Sequence, residues 1–204
     1  MNKKIKKVFR YGLFMTQYIG ERLRGLDFSM PAASETAKNT VEIHGYTKTP
    51  EFLIRKMLKM LPLEPEEGRF LDIGCGKGLT MKVAKEMGYQ KVAGIDLDED
   101  LIRIAKKNMK KLGMEDVPCL TVDAVQFDGY GEYNVFFFFN PFNDTVLEPV
   151  VRRILESVRE NPRTVYVIYH HPKYDWVMDR AGLKKIASLY DNLRDYDTYF
   201  YTLE

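Results

Sequence analysis

A chain of 204 residues is long enough for one domain with a proper core and some length to spare. Its hydrophobic content of 45% is ordinary for a globular protein, and no run of about 18 apolar residues occurs, which excludes a membrane-spanning helix. A formal net charge of +2 argues against a broad nucleic-acid-binding surface. Three histidines and two cysteines, Cys75 and Cys119, without ligand-like spacing make a zinc site implausible and point to a reduced, cytoplasmic protein.

The near-neutral balance hides an asymmetry. Lys3, Lys4, Lys6, Lys7 and Arg10 all precede the first acidic residue, Glu21. Ile5, Val8, Phe9, Leu13, Tyr18 and Ile19 fall between them at roughly helical spacing. A basic amphipathic helix over residues 1–24 either covers the domain with its lysines solvated, or lies on a membrane surface or a partner. Arg10 and Gln17 interrupt any apolar core of a signal peptide. Residues 24–48 are irregular, with a loop at Pro31–Ser34 and a turn at Gly45. Residues 1–48 thus read as a helical and loop segment covering the site, and 49–204 as the main domain.

Thr49, Pro50 and Glu51 read as a helix start: a capping hydroxyl, proline at the first helical position, an acidic first turn. Phe52, Leu53, Met57, Leu58 and Leu61 give its buried face, and Pro62 and Pro65 end it. Phe70 to Ile73 reads as a short buried strand interrupted by Asp72. Gly74, Gly76 and Gly78 follow in alternation, then a helix from Leu79 to Met87. Lys91 to Asp96 is a second strand. Asp98 to Lys111 is a helix with Leu101, Ile104, Ala105, Asn108 and Leu112 on one face. Cys119 to Val122 is a third strand ending at Asp123, and Tyr133 to Phe139 a fourth ending at Asn140-Pro141-Phe142.

The series from Val146 to Val158 marks another helix, with Pro149 expected in or just before its first turn, where a missing N–H is harmless. Thr164 to Tyr169 is a fifth strand, and Tyr174 to Arg180 a short helix. Lys184 to Tyr190 and Thr198 to Thr202 are close enough to pair antiparallel. Strands alternating with helices mean an α/β, doubly wound, mostly parallel sheet, and the apolar run Val135 to Phe139 suits a strand buried on both faces.

The glycine turn is not spaced for a dinucleotide, which needs Gly-x-Gly-x-x-Gly, nor is it a phosphate loop. Asp72 before it would repel a pyrophosphate and suit an ammonium group. Asp96 closes the second strand, placed to accept hydrogen bonds from ribose hydroxyls. Asp123 closes the third, with Ala124 beside the place an adenine would take. A ligand with an ammonium, a ribose and an adenine but no phosphates is S-adenosylmethionine.

At these residues the chain resembles the class I S-adenosylmethionine-dependent methyltransferases. Leu71-Asp72-Ile73-Gly74-Cys75-Gly76-Lys77-Gly78 resembles the family's first motif, and Ala93 to Asp98 the second-strand motif. Val122-Asp123-Ala124 resembles the adenine-side motif, and Phe139 to Phe142 the motif ending the fourth strand. The resemblance covers about 49–204. It implies a seven-stranded Rossmann-like sheet with an antiparallel last strand. It also implies cofactor contacts at Asp72, Gly74, Gly76, Gly78, Asp96, Leu97 (packing on adenine), Asp123 and Ala124. The product would be S-adenosylhomocysteine.

Asn140-Pro141-Phe142 resembles the Asn/Asp-Pro-Pro-Tyr/Phe motif of amino-group methyltransferases, with one proline missing, so the acceptor atom stays open. In that motif an amide oxygen aims the target nitrogen and the aromatic ring packs beside it; the alternative is a plain turn after a buried strand. Tyr46 and Thr49 lie where related chains fold over the cofactor, or Thr49 merely caps its helix. His170 or His171 either acts as a general base, since imidazole titrates near neutral pH, or sits in a loop. Lys77 is expected to be solvated and Cys75 to be a small residue in a tight turn.

The chain resembles most specifically small, little-characterised bacterial methyltransferases, and more weakly class I protein-lysine methyltransferases. The acceptor is open, with a protein lysine or a small-molecule nitrogen or oxygen favoured and nucleic acid disfavoured. The alternatives are a non-catalytic cofactor-binding module and a non-methylating use of the same fold. No metal is called for, and oligomeric state is open.

Overall fold

The computed structural model describes residues 3–29 and 48–203. Helix α1 spans Lys3–Leu23 and α2 Glu51–Leu58; after a 3-10 turn at Pro65–Glu67 the chain enters β1 (Arg69–Ile73). There follow α3 (Leu79–Glu86), β2 (Lys91–Asp96), α4 (Glu99–Lys111), β3 (Cys119–Thr121) and β4 (Val135–Phe139). The last elements are α5 (Asp144–Glu160), β5 (Val165–His170), α6 (Trp176–Arg180), β6 (Lys184–Asp191) and β7 (Tyr196–Leu203).

The strands form one seven-stranded sheet in the order β3-β2-β1-β4-β5-β7-β6. β7 alone runs antiparallel, inserted between β5 and β6. That is the mostly parallel, seven-stranded sheet with an antiparallel last strand that the sequence predicts. The strand order reverses between β1 and β4, and a crevice for ligands opens beyond the carboxyl ends of strands at such a switch.

The alternation of side chains divides the core into two layers. Phe70, Phe137, Ile168 and Phe200 face α2, α3 and α4, whereas Leu71, Phe136, Phe138, Val167 and Tyr201 face α5 and α6. Phe136, Phe137 and Phe138 are buried on both sides, as the apolar run of β4 demands. Leu26 and Phe28 also lie in the first layer.

Several local expectations are corrected. Pro50, not Thr49, occupies the N-cap of α2, with no side-chain cap, and the Thr49 hydroxyl is buried without a hydrogen-bond partner. α5 starts at Asp144, before the apolar series begins, so Pro149 falls inside the helix and removes one bond of its second turn. Lys77 is not solvated: it is 1% exposed and its Nζ lies 2.7 Å from Asp27 Oδ1. β3 ends at Thr121, two residues short of Asp123.

The start of α4 is capped by Asp98, whose Oδ1 accepts from the N–H groups of Asp100 at 2.9 Å and Leu101 at 3.2 Å. Asp98→Ala should cost about 1 kcal/mol and lower Tm by about 2–4 °C for a chain of this size; differential scanning calorimetry reads this directly.

Candidate functional site

The crevice is built on the turn between β1 and α3. Gly74 and Cys75 both donate their N–H groups to Ile95 O, at 2.9 and 3.0 Å, which locks the turn to the end of β2. Gly74 has φ +79°, and a Cβ there would lie 2.7 Å from Pro141 Cβ. A side chain is therefore excluded twice, by conformation and by the close approach of the Asn140-Pro141 turn. Gly94 on β2 is required by packing, since a Cβ would lie 2.2 Å from Met81 Sδ and 2.6 Å from Cys75 Cβ. The first glycine and the fourth strand's end thus meet.

Asp96 Oδ2 accepts from Gly76 N–H at 2.8 Å and its Oδ1 from Asp98 N–H at 3.0 Å. The carboxylate ties the glycine turn to the start of α4 and keeps lone pairs for further donors. Burial raises its proton affinity, and the N–H groups of Asp98 and Gly76 pull it back. Asp72 lies deeper, 3% exposed. Burial first, and Asp96 second, hold its carboxyl well above the usual range, with a hydrogen bond from Thr80 opposing them. A bound cation would reverse that shift.

Leu97 is 45% exposed beside Asp96. Asp123 Oδ1 accepts from Val125 N–H at 2.8 Å and closes its own turn. Ala124 is buried, and its carbonyl accepts from Tyr130 O–H at 2.7 Å. Tyr46 lies outside the described residues, as does His44.

Asn140 is 4% exposed with φ +39°, a conformation asparagine tolerates better than most residues. Its Oδ1 accepts from Tyr169 O–H at 3.1 Å, which fixes the side-chain amide. The Phe142 ring packs in the second core layer, 6.5 Å from Phe138 in a T-shaped contact. Sequence reasoning passed over Tyr169, which read as one more apolar position of a buried strand.

His170 belongs to β5 itself and is fully buried, with Nδ1 2.8 Å from Thr198 Oγ1 and Nε2 unpartnered. Burial, with Arg194 second, pushes its pKa down to about 3. It is neutral at working pH and does not titrate there, so the titration argument for it as a base fails. Because the unfolded chain binds this proton near pH 6.5 and the folded chain only near 3, the neutral imidazole costs stability as pH falls through that window. His170→Asn should therefore melt with a shallower loss of Tm between pH 6.5 and 4 than the parent; parallel curves would overturn the assignment.

A second group missed from sequence lies in the β6–β7 hairpin. Because β7 is antiparallel, this turn comes to the same end of the sheet as the carboxyl ends of β4 and β5. Tyr196 rings with Phe139 at 6.1 Å, His170 at 5.8 Å and His171 at 3.9 Å. Arg194 Nη1 and Asp191 Oδ2 are buried and form an ion pair at 3.7 Å, and Thr49 Oγ1 and His170 Nε2 are buried without hydrogen-bond partners. The available signal was an arginine and a tyrosine within a turn otherwise read as a connection. Among the described residues no group of three or more histidines, cysteines and carboxylates could hold a metal ion.

Residues 70–161 match the model of a methyltransferase domain family. A ribosomal protein L11 methyltransferase of Thermotoga neapolitana is 35% identical over 116 residues, covering 57% of this chain but only 39% of the relative. The chain thus spans about two fifths of the length of that relative. An RNA methyltransferase from Salinibacter ruber, solved with S-adenosyl-L-homocysteine, superposes with a TM-score of 0.56 at 21% identity, over 76% of this chain and 93% of that one. A ribosomal protein L11 methylase from Lactobacillus delbrueckii gives 0.59 at 12% identity, over 76% and 79%.

Proposed function

We propose that the chain is a class I, S-adenosylmethionine-dependent methyltransferase, as its match to a methyltransferase domain over residues 70–161 supports, and that its crevice moves the cofactor's methyl group to an amino nitrogen, of a protein lysine first and of a small molecule second. The observation that carries this reading is the contact between Pro141 and Gly74, which brings the acceptor-side turn of β4 against the donor-side turn of β1.

The residues present fit the cofactor. Gly74, Gly76 and Gly78 have positive φ, which shapes a tight turn whose backbone can approach a ligand. Asp96 keeps acceptor capacity for ribose hydroxyls after its two backbone bonds. Leu97 offers an exposed apolar face to the adenine, and Asp123 and Ala124 border it. When bound, the cofactor supplies an electrophilic methyl on a sulfonium. The chain's own work is to align donor and acceptor and to exclude water. Asn140 Oδ1, with one lone pair engaged by Tyr169, has a second to accept a hydrogen from the acceptor nitrogen. Naming of the Thermotoga relative for a ribosomal protein supports a protein acceptor; the near-neutral charge weighs against RNA.

Transfer of radiolabelled methyl groups into fractionated cell extract tests the reading. Label in a protein band, with S-adenosylhomocysteine as the co-product, supports it. Tight cofactor binding with no labelled acceptor favours a non-catalytic module, and a co-product other than S-adenosylhomocysteine favours another use of the fold.

A further inference from the structure

We propose that α1 is a surface anchor that lies flat on an anionic lipid membrane, its apolar face in the headgroup boundary and the domain above it. The observation is the direction in which the helix is turned. Ile5, Val8, Tyr11, Ile19 and Leu23 follow one another on one side of α1 and are 57, 72, 65, 51 and 84% exposed. Toward the domain the helix is held by polar pairs, with Phe9 lining a groove beside Phe52, Leu53 and Leu189. Lys6 Nζ pairs with Asp195 Oδ1 at 2.7 Å, and Glu21 accepts from Phe28 N–H at 3.1 Å and pairs with Lys48. A helix held to the domain in this way leaves a row of apolar side chains turned to solvent.

Charge identifies what covers the stripe. From Lys3 to Gly20 the helix contains no carboxylate, and Glu21, its one acidic residue, is turned inward to Lys48. Lys7 and Arg22 are exposed on the helix, and Arg24 just beyond its end. Antiparallel pairing with a second copy would set the basic start of one helix against Arg22 and Arg24 of the other, like charge on like. A bilayer rich in anionic headgroups satisfies both features, taking the apolar residues into its boundary and meeting the basic flanks with negative charge. No helix among the described residues is long and apolar enough to cross a membrane, so the attachment is peripheral. The inference stands apart from methyl transfer, since it uses no residue of the crevice.

The full chain should sediment with phosphatidylcholine vesicles containing phosphatidylserine roughly tenfold or more better than with phosphatidylcholine alone, and less so as salt rises. The double variant Val8→Asp/Ile19→Asp should lose that binding while keeping the parent's thermal melt, because both side chains face solvent. Failure of the parent to sediment, or equal sedimentation of the variant, would overturn the proposal. So would a dimer seen by light scattering that the variant abolishes without any vesicle binding, or binding to polyglutamate but not to vesicles; these would give the face to a second copy or to an acidic protein.

Discussion

Asn140→Ala should lower kcat about a hundredfold while changing the dissociation constant of S-adenosylmethionine less than about threefold. Tyr169 donates to Oδ1 from the neighbouring strand, and the backbone sits at φ +39°. Alanine removes the acceptor and also strains that backbone, so Asn140→Gly is the second variant: glycine adopts the conformation freely and lacks only the amide. If the amide aims the acceptor nitrogen, both variants lose kcat alike. If Asn140 only turns the chain, the glycine variant recovers activity and the alanine variant melts lower. Tyr169→Phe should fall between parent and Asn140→Gly, since it frees the amide without removing it.

The parts of this crevice that were legible in the sequence are those in which one short stretch decides its own geometry. A strand, an acid and three alternating glycines imply a turn before a helix whatever the rest of the chain does, and Asp96 follows from a strand that ends at it. Lys77 was not legible. Its burial depends on Asp27, fifty residues earlier, and on Asn108, whose Nδ2 donates to the carbonyls of both Lys77 and Asp27, at 3.1 and 2.9 Å. Nothing near Lys77 in the sequence announces either partner. Arg194 and Tyr196 were hidden for a topological reason: only the insertion of β7 between β5 and β6 carries their turn to the ligand side. His170 was legible as a strand's end but not in its chemistry, since its low proton affinity arises from layers packed over it by β4, β7 and the hairpin.

Asp96 is where the local and the tertiary readings combine, and its substitution has the second large expected effect. Its carboxylate accepts from Gly76 N–H in the cofactor turn and from Asp98 N–H at the head of α4. A ribose diol would share those same oxygens. If Asp96 holds the ribose, Asp96→Ala removes a charged partner of the ligand and also loosens the turn it clamps. The loss of charge-assisted hydrogen bonds is about 1.5–3 kcal/mol, which weakens cofactor binding roughly ten- to hundredfold by calorimetry. Asp96→Asn separates the two contributions. It keeps the volume and one acceptor oxygen, which can serve Gly76 or Asp98 but not both with the ribose as well, so its affinity should lie between parent and alanine variant. If both variants bind the cofactor as the parent does and differ only in Tm, the carboxylate is a clamp of the fold and the ribose is held elsewhere.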